Sequence, residues 1–146
     1  MSFENTIIFS QYVRYKLKSI ISIIDHNDIY QEANRLGIKD KAIYIITDLV
    51  FTENILEEIT LYSKLFLKFC YKNNKAQLHL IRALENLLSK NEWMYVRSIS
   101  ILKQFYDEGI LDQETIIDNF DKYHHGKVAS FVHLLIEASS ESSESD

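Results

Sequence analysis

Acidic and aromatic side chains crowd together near the C-terminal end of this chain, in YDEGILDQETIIDNFDKYHH, residues 106–125. At about 100° per residue, Ile116, Ile117, Phe120 and Tyr123 gather on one side of a helix. Glu114, Asp118 and Asp121, at i, i+4 and i+7, gather on the other. Asp107, Glu108 and Asp112 precede them, and Glu137, Glu141, Glu144 and Asp146 follow. Part of this pattern is an ordinary amphipathic helix, whose acids also favour the positive end of the helix dipole. The accumulation goes further than that. Like charges crowded at one end bring a fold no stability, whereas a partner rich in lysine would gain from them. The chemistry they suit is electrostatic capture, with Tyr106, Phe120, Tyr123 and Phe131 covering the apolar stems of the captured lysines.

A second charged feature has the opposite sign. Lys64, Lys68, Lys72 and Lys75 fall at i, i+4, i+8 and i+11, one stripe if the segment is a continuous helix. It reads either as a solvated back face or as a docking surface for an acidic protein. Nucleic acid is not expected, because the protein is acidic overall and no aromatic-plus-basic motif is present. Catalysis has little support. His26, His79, His124, His125 and His133 lack metal-ligand spacing, and no phosphate-binding glycine loop occurs, so no metal, cofactor or small-molecule ligand is expected. Cys70, between Phe69 and Tyr71, reads as a buried structural thiol, and Trp93, the only tryptophan, as a core anchor in preference to a partial interface residue.

These residues need helices to hold them. The 146 residues include three glycines and no proline, 47% are hydrophobic and 25% charged. That composition is globular, suits one domain, and offers few tight turns or helix breakers. Helical periodicity predicts segments at about 4–23, with Ile7, Ile8, Tyr12, Tyr15 and Leu17 inward, then 28–36 closed by Gly37, and 39–51. Residues 53–73 read as one helix or two. Further segments follow at 75–89 (Leu80, Leu84, Leu87, Leu88 inward), 92–108 ended by Gly109, and 112–123 capped by Asp112. A last one carries Val128, Phe131, Val132 and Leu135. Short connections imply antiparallel neighbours, so the expected fold is all-α: stacked antiparallel helical hairpins, a small HEAT-like α-solenoid of about seven or eight helices. The domain is expected to span 1–138, with 139–146 a disordered acidic tail.

Net charge is −5, but it is divided unevenly: residues 1–105 carry 14 basic and 11 acidic side chains, residues 106–146 carry 2 and 10. Such separation is a statement about partners. No apolar run reaches the ~20 residues that span a bilayer, the N-terminus lacks a secretory pattern, and a lone cysteine fits a reducing compartment. A cytoplasmic monomer is the expectation.

Three stretches carry a recognisable pattern: EANRLGIKDKAIYIITDLVFTENILEEI (32–59), FLKFCYKNNKAQLHLIRALENLL (66–88) and ILKQFYDEGILDQETIID (101–118). With FVHLLIEASSESSESD (131–146) they resemble the C-terminal domain of eukaryotic translation initiation factor 5. FCYKNNKAQ is the most specific part. The resemblance implies a HEAT-type (MIF4G-type) helical domain whose two aromatic and acidic boxes fall at about 105–123 and 131–146. It implies binding to lysine-rich segments of the initiation factor two beta subunit, and contacts with initiation factors one, three and four-G. The domain would thereby nucleate a multifactor pre-initiation complex. Asn119 and Leu134 stand where the family usually has tryptophan, which should weaken any contact built on those rings. The family's N-terminal half, with its GTPase-activating arginine and zinc ribbon, has no counterpart here, so no acceleration of GTP hydrolysis is expected. Two other readings share the acidic boxes: the nucleotide-exchange domain of the factor two-B epsilon subunit, and a competitive mimic that suppresses initiation.

Overall fold

A computed structural model describes residues 3–19, 26–120 and 137. Among the described residues there are nine helices and no strand: α1 (Phe3–Ser19), α2 (His26–Arg35), α3 (Ala42–Val50), α4 (Ile55–Leu61), α5 (Ser63–Cys70), α6 (Asn74–Lys90), α7 (Glu92–Val96), α8 (Ser98–Asp107) and α9 (Gln113–Phe120). The all-α reading holds. The count exceeds seven or eight because two expected segments divide. Residues 53–73 break at Tyr62 into α4 and α5, and 92–108 break at Arg97 into α7 and α8. At Arg97 the backbone N–H donates to the Met94 carbonyl at 3.0 Å. Such an i to i−3 bond tightens the turn without opening a loop.

The two expected glycine stops are real and share one geometry. Gly37 and Gly109 have φ of 72° and 76°, a region that costs an L side chain energy. After α2, Gly37 N–H donates to Asn34 and Ile38 N–H to Ala33. After α8, Gly109 N–H donates to Tyr106 and Ile110 N–H to Phe105. Both are paired 5→2 and 6→1 closures that satisfy the last carbonyls and send an apolar residue inward. Ile38 and Ile110 are accordingly buried.

The long α6 is the spine, packed against α3, α5, α7 and α9. Asn73 starts it, its side chain accepting from Ala76 N–H at 3.2 Å. Its apolar face buries Leu80, Ile81, Leu84, Leu87 and Leu88, each worth about 1.5–3 kcal/mol. Opposite lies α3, buried on most of its circumference, where the Thr47 hydroxyl donates to the Ile43 carbonyl at 2.7 Å. Phe51, Phe66 and Phe105 pack with ring centroids 5.4–5.9 Å apart and join the end of α3 to α5 and α8. Neighbouring α1 and α2 run antiparallel: Lys16 near the end of α1 pairs with Asp28 near the start of α2 at 3.1 Å, while Asn5 reaches the Leu36 carbonyl at 2.9 Å. By contrast α4 and α8 run side by side in one direction, as stacked helices of one solenoid layer should. Thr60 meets Gln104 and Glu108 at their C-terminal ends, and Glu57 and Arg97, at their starts, line one cavity.

The inward face of α1 is not the expected one. Ile7, Ile8 and Tyr15 are exposed, at 41%, 44% and 67%, and Phe9 and Val13 are fully buried. This helix is apolar on several sides, so periodicity alone has no phase to choose. Of the expected set Tyr12 does pack against the core. The final helix and the acidic tail expected after residue 120 lie outside the described residues.

Candidate partner-binding surface

The acidic end is built by one turn. Gly109 reverses the chain, Ile110 and Leu111 enter the core, and Asp112 starts α9. Buried Gln77 on α6 then fixes that start. Its side-chain N–H donates to the Asp112 carboxylate at 3.0 Å and to the Cys70 carbonyl at 2.9 Å, and its side-chain oxygen accepts Asp112 N–H at 2.9 Å. One glutamine therefore ties α5, α6 and α9. Along α9, Thr115 and Ile116 are buried and Ile117 packs partly against the core, whereas Glu114 and Asp118 are exposed. The apolar side goes in and the two acids go out, as their spacing requires.

The other expected acids divide by role. Asp107 is ion-paired with Lys103 at 2.8 Å, and Glu108 accepts from Thr60 at 3.1 Å and Gln104 at 3.2 Å, joining α8 to α4. Asp112 is engaged by Gln77. Only Glu114 and Asp118, among the expected acids placed in α8, α9 and the turn between them, have no ion pair or hydrogen bond from a described residue. Tyr106 is half-buried, packed against the core. Phe120 closes α9, and Glu137 is helical and exposed. Asp121, Tyr123, Phe131, Glu141 and Glu144 lie outside the described residues, as does Leu134. Asn119 donates back to the Thr115 carbonyl of its own helix at 2.8 Å.

The basic stripe is not one stripe. Helix α5 stops at Cys70, and Lys72 takes φ 53° in the turn that follows, so i+8 and i+11 no longer continue the face. Lys64 and Lys68 are exposed on α5, and the Lys68 ammonium lies 5.3 Å from the Tyr30 ring centre. Lys72 covers Tyr71 at 5.5 Å. Lys75 begins α6 and joins a different basic group, Lys39 and Lys41, around a cavity of about 460 Å³ that also meets His79. Asn73 donates to Asp40 at 3.3 Å and holds that turn beside α6. Burial, then the nearby Arg82, holds the His79 pKa below its usual value. The signal for this cluster was the Lys-Asp-Lys turn after Gly37, which no helical spacing could connect to Lys75.

Cys70 is buried as expected, and its burial, with Asp112 adding to it, pushes the thiol pKa strongly up. Trp93 is not a core anchor: it is 43% exposed on α7, while its neighbour Met94 takes the buried position. Among the described residues no group of three or more histidines, cysteines or carboxylates could hold a metal ion. No described helix is long and apolar enough to cross a membrane.

No family model matches the chain. Curated relatives do. Eukaryotic translation initiation factor 5 from Rattus norvegicus is 34% identical over 120 residues, 82% of this chain and 28% of that protein. The Mus musculus factor is 37% identical over 110 residues, 73% and 26%. The Drosophila melanogaster factor is 33% identical over 137 residues, 89% and 30%. The chain thus spans between a quarter and a third of the length of these curated relatives. Among solved structures, the C-terminal domain of translation initiation factor 5 at low pH superposes with a TM-score of 0.77 at 20% identity, covering 97% of both chains. That likeness shows the fold.

Proposed function

Because this chain is a relative of eukaryotic translation initiation factor 5 and has the fold of its C-terminal domain, we propose that it is a protein–protein adaptor that uses the outer face of α9 to hold lysine-rich segments of the initiation factor two beta subunit. The relationship supports a role in translation initiation. The observation that carries the adaptor reading is the exposed pair Glu114 and Asp118, the acids of α9 left over once Asp107, Glu108 and Asp112 have been engaged by the fold. Two carboxylates about one turn apart suit successive lysines of a basic segment. Charges steer such a segment, and apolar contacts around its stems retain it, so affinity should fall as salt rises. The basic cavity of Lys39, Lys41 and Lys75, with Lys64 and Lys68 on α5, suits acidic stretches of further factors, for which initiation factors one, three and four-G are the candidates. The setting would be the cytoplasm and the chain a monomer in it.

The test is calorimetric titration with a lysine-rich peptide from the beta subunit at low and at physiological salt. Salt-sensitive binding that disappears in Glu114→Lys/Asp118→Lys supports the reading. No binding at low salt, or binding indifferent to the double reversal, removes it. Addition of the chain should leave nucleotide release from initiation factor two unchanged; acceleration would make it an exchange domain instead of an adaptor.

A further inference from the structure

Away from the acidic end, α7 presents an indole that the fold does not bury. Trp93 lines a cavity of about 190 Å³ with Glu53, Asn54, Leu56, Glu57 and Arg97. Leu56 gives the cavity an apolar lining, and Val96, three residues along α7 from Trp93, is 57% exposed. The Arg97 guanidinium already lies 4.8 Å from the centre of the Trp93 ring system, so the indole is oriented and used as a cation platform. Glu53 and Glu57 are both exposed, and neither takes part in an ion pair among the described residues. The cavity therefore holds two carboxylates against one guanidinium, beside an aromatic ring and an apolar edge. One added cation would balance it.

We propose that this cavity is a second docking site, distinct from α9, for an arginine next to an apolar residue in an extended segment of a partner protein. Arginine fits better than lysine for two reasons. A planar guanidinium stacks on indole and offers a fork to carboxylate oxygens, whereas an ammonium is a hydrated point charge. The resident Arg97 already covers one face of the ring, so the incoming guanidinium stacks on the other and directs its fork to Glu53 and Glu57. The apolar neighbour of the incoming arginine rests on Leu56, and the surplus carboxylate charge excludes acidic segments. The position on stacked α4 and α8 keeps the site rigid, since Thr60, Gln104 and Glu108 bind those helices together at the other end.

Trp93 is the only tryptophan in the chain, so its fluorescence reports on this cavity alone. The experiment titrates the full chain with acetyl-RLRLRL-amide, with acetyl-KLKLKL-amide and acetyl-ELELEL-amide in parallel. The expected result is a saturable emission change with the arginine peptide. Affinity should fall roughly tenfold or more in Glu53→Gln/Glu57→Gln, the scale of one charge-assisted pair, and stay unchanged in Asp118→Asn. Thermal melts of the variants check that the fold persists, and both substituted glutamates are exposed and of unchanged size. The proposal is overturned by no saturable change at millimolar peptide, by equal or tighter binding of the lysine or glutamate peptide, or by indifference to the glutamate pair. It is also overturned if the response depends on Asp118, which would place the peptide on α9.

Discussion

Gln77→Met separates the hydrogen bonds of Gln77 from its volume, because the two side chains are close to isosteric. Three bonds are lost, to the Cys70 carbonyl, the Asp112 carboxylate and Asp112 N–H, all between 2.9 and 3.0 Å. They are not equal. The Cys70 carbonyl keeps a second donor, Asn73 N–H at 3.0 Å, so its loss costs about 1 kcal/mol. The Asp112 carboxylate is near water and can be resolvated, again about 1 kcal/mol. The part-buried Asp112 N–H loses its acceptor, about 1–2 kcal/mol. Burying a thioether in place of an amide returns about 1 kcal/mol. The net loss is about 2–3 kcal/mol, or roughly 4–12 °C in Tm for a domain of this size. Urea and thermal unfolding measure it, and hydrogen exchange should show α9 amides losing protection before those of α6, because the clamp holds the start of α9. A loss under about 0.5 kcal/mol with α9 protection unchanged would refute the idea that Gln77 positions the acidic helix.

Glu114→Lys/Asp118→Lys should lower stability by no more than about 1 kcal/mol, mostly the helix-dipole interaction of Glu114 in the first turn of α9, while removing binding of the lysine-rich peptide in calorimetry. Cys70 should resist thiol reagents at pH 8 until the chain unfolds. Its raised pKa means that the unfolded chain loses the thiol proton first, so stability present below pH 9.0, the group's ordinary value, is lost as pH rises beyond it; urea midpoints in Cys70→Ala should lack that alkaline component. For His79 the sign is opposite: its pKa lies below the ordinary 6.5, so the unfolded chain takes up the proton first and stability falls as pH drops below that value. His79→Gln should flatten this acid slope. Trp93→Ala should cost less than about 1 kcal/mol, where a buried tryptophan would cost about 3–5 kcal/mol, and chemical denaturation decides between them.

What sequence disclosed was what is encoded locally. Gly37 and Gly109 could be placed because a helix that ends in the left-handed region needs a residue without a side chain there. The leucines of α6 could be placed because they repeat on one face only, so their phase is unambiguous. Local signals failed where they were degenerate or interrupted. The first helix carries Ile7, Ile8, Phe9, Tyr12 and Val13 around much of its surface, and packing on α2 and α3 selected Phe9 and Val13. The lysine stripe assumed a continuous helix, and the turn at Tyr71–Asn73 ended it. Trp93 looked like core because tryptophan often is; Met94 reached the interior instead, and an aromatic residue's type says nothing about which side of a short helix it takes.

The acidic end shows the same limit in its candidate binding residues. Glu114 and Asp118 could be assigned to an outer face because the decisive neighbour, Ile116, is two residues away. Glu108 and Asp112 could not be separated from them, because the groups that engage these acids are Thr60, 48 positions distant, and Gln77, 35 positions distant. Charge density alone therefore does not tell which of the acids the fold also engages. The fold draws on the acids nearest the turn to bind α8 to α4 and α9 to α6. The same anchoring gives the remaining pair its fixed orientation. The docking role proposed for α9 would draw on both kinds of carboxylate: those that hold the helix in place would lower the entropy lost when a partner binds, and those the fold does not engage would meet the partner's charge. A run of acids can thus be one electrostatic feature in sequence and two mechanical parts in three dimensions.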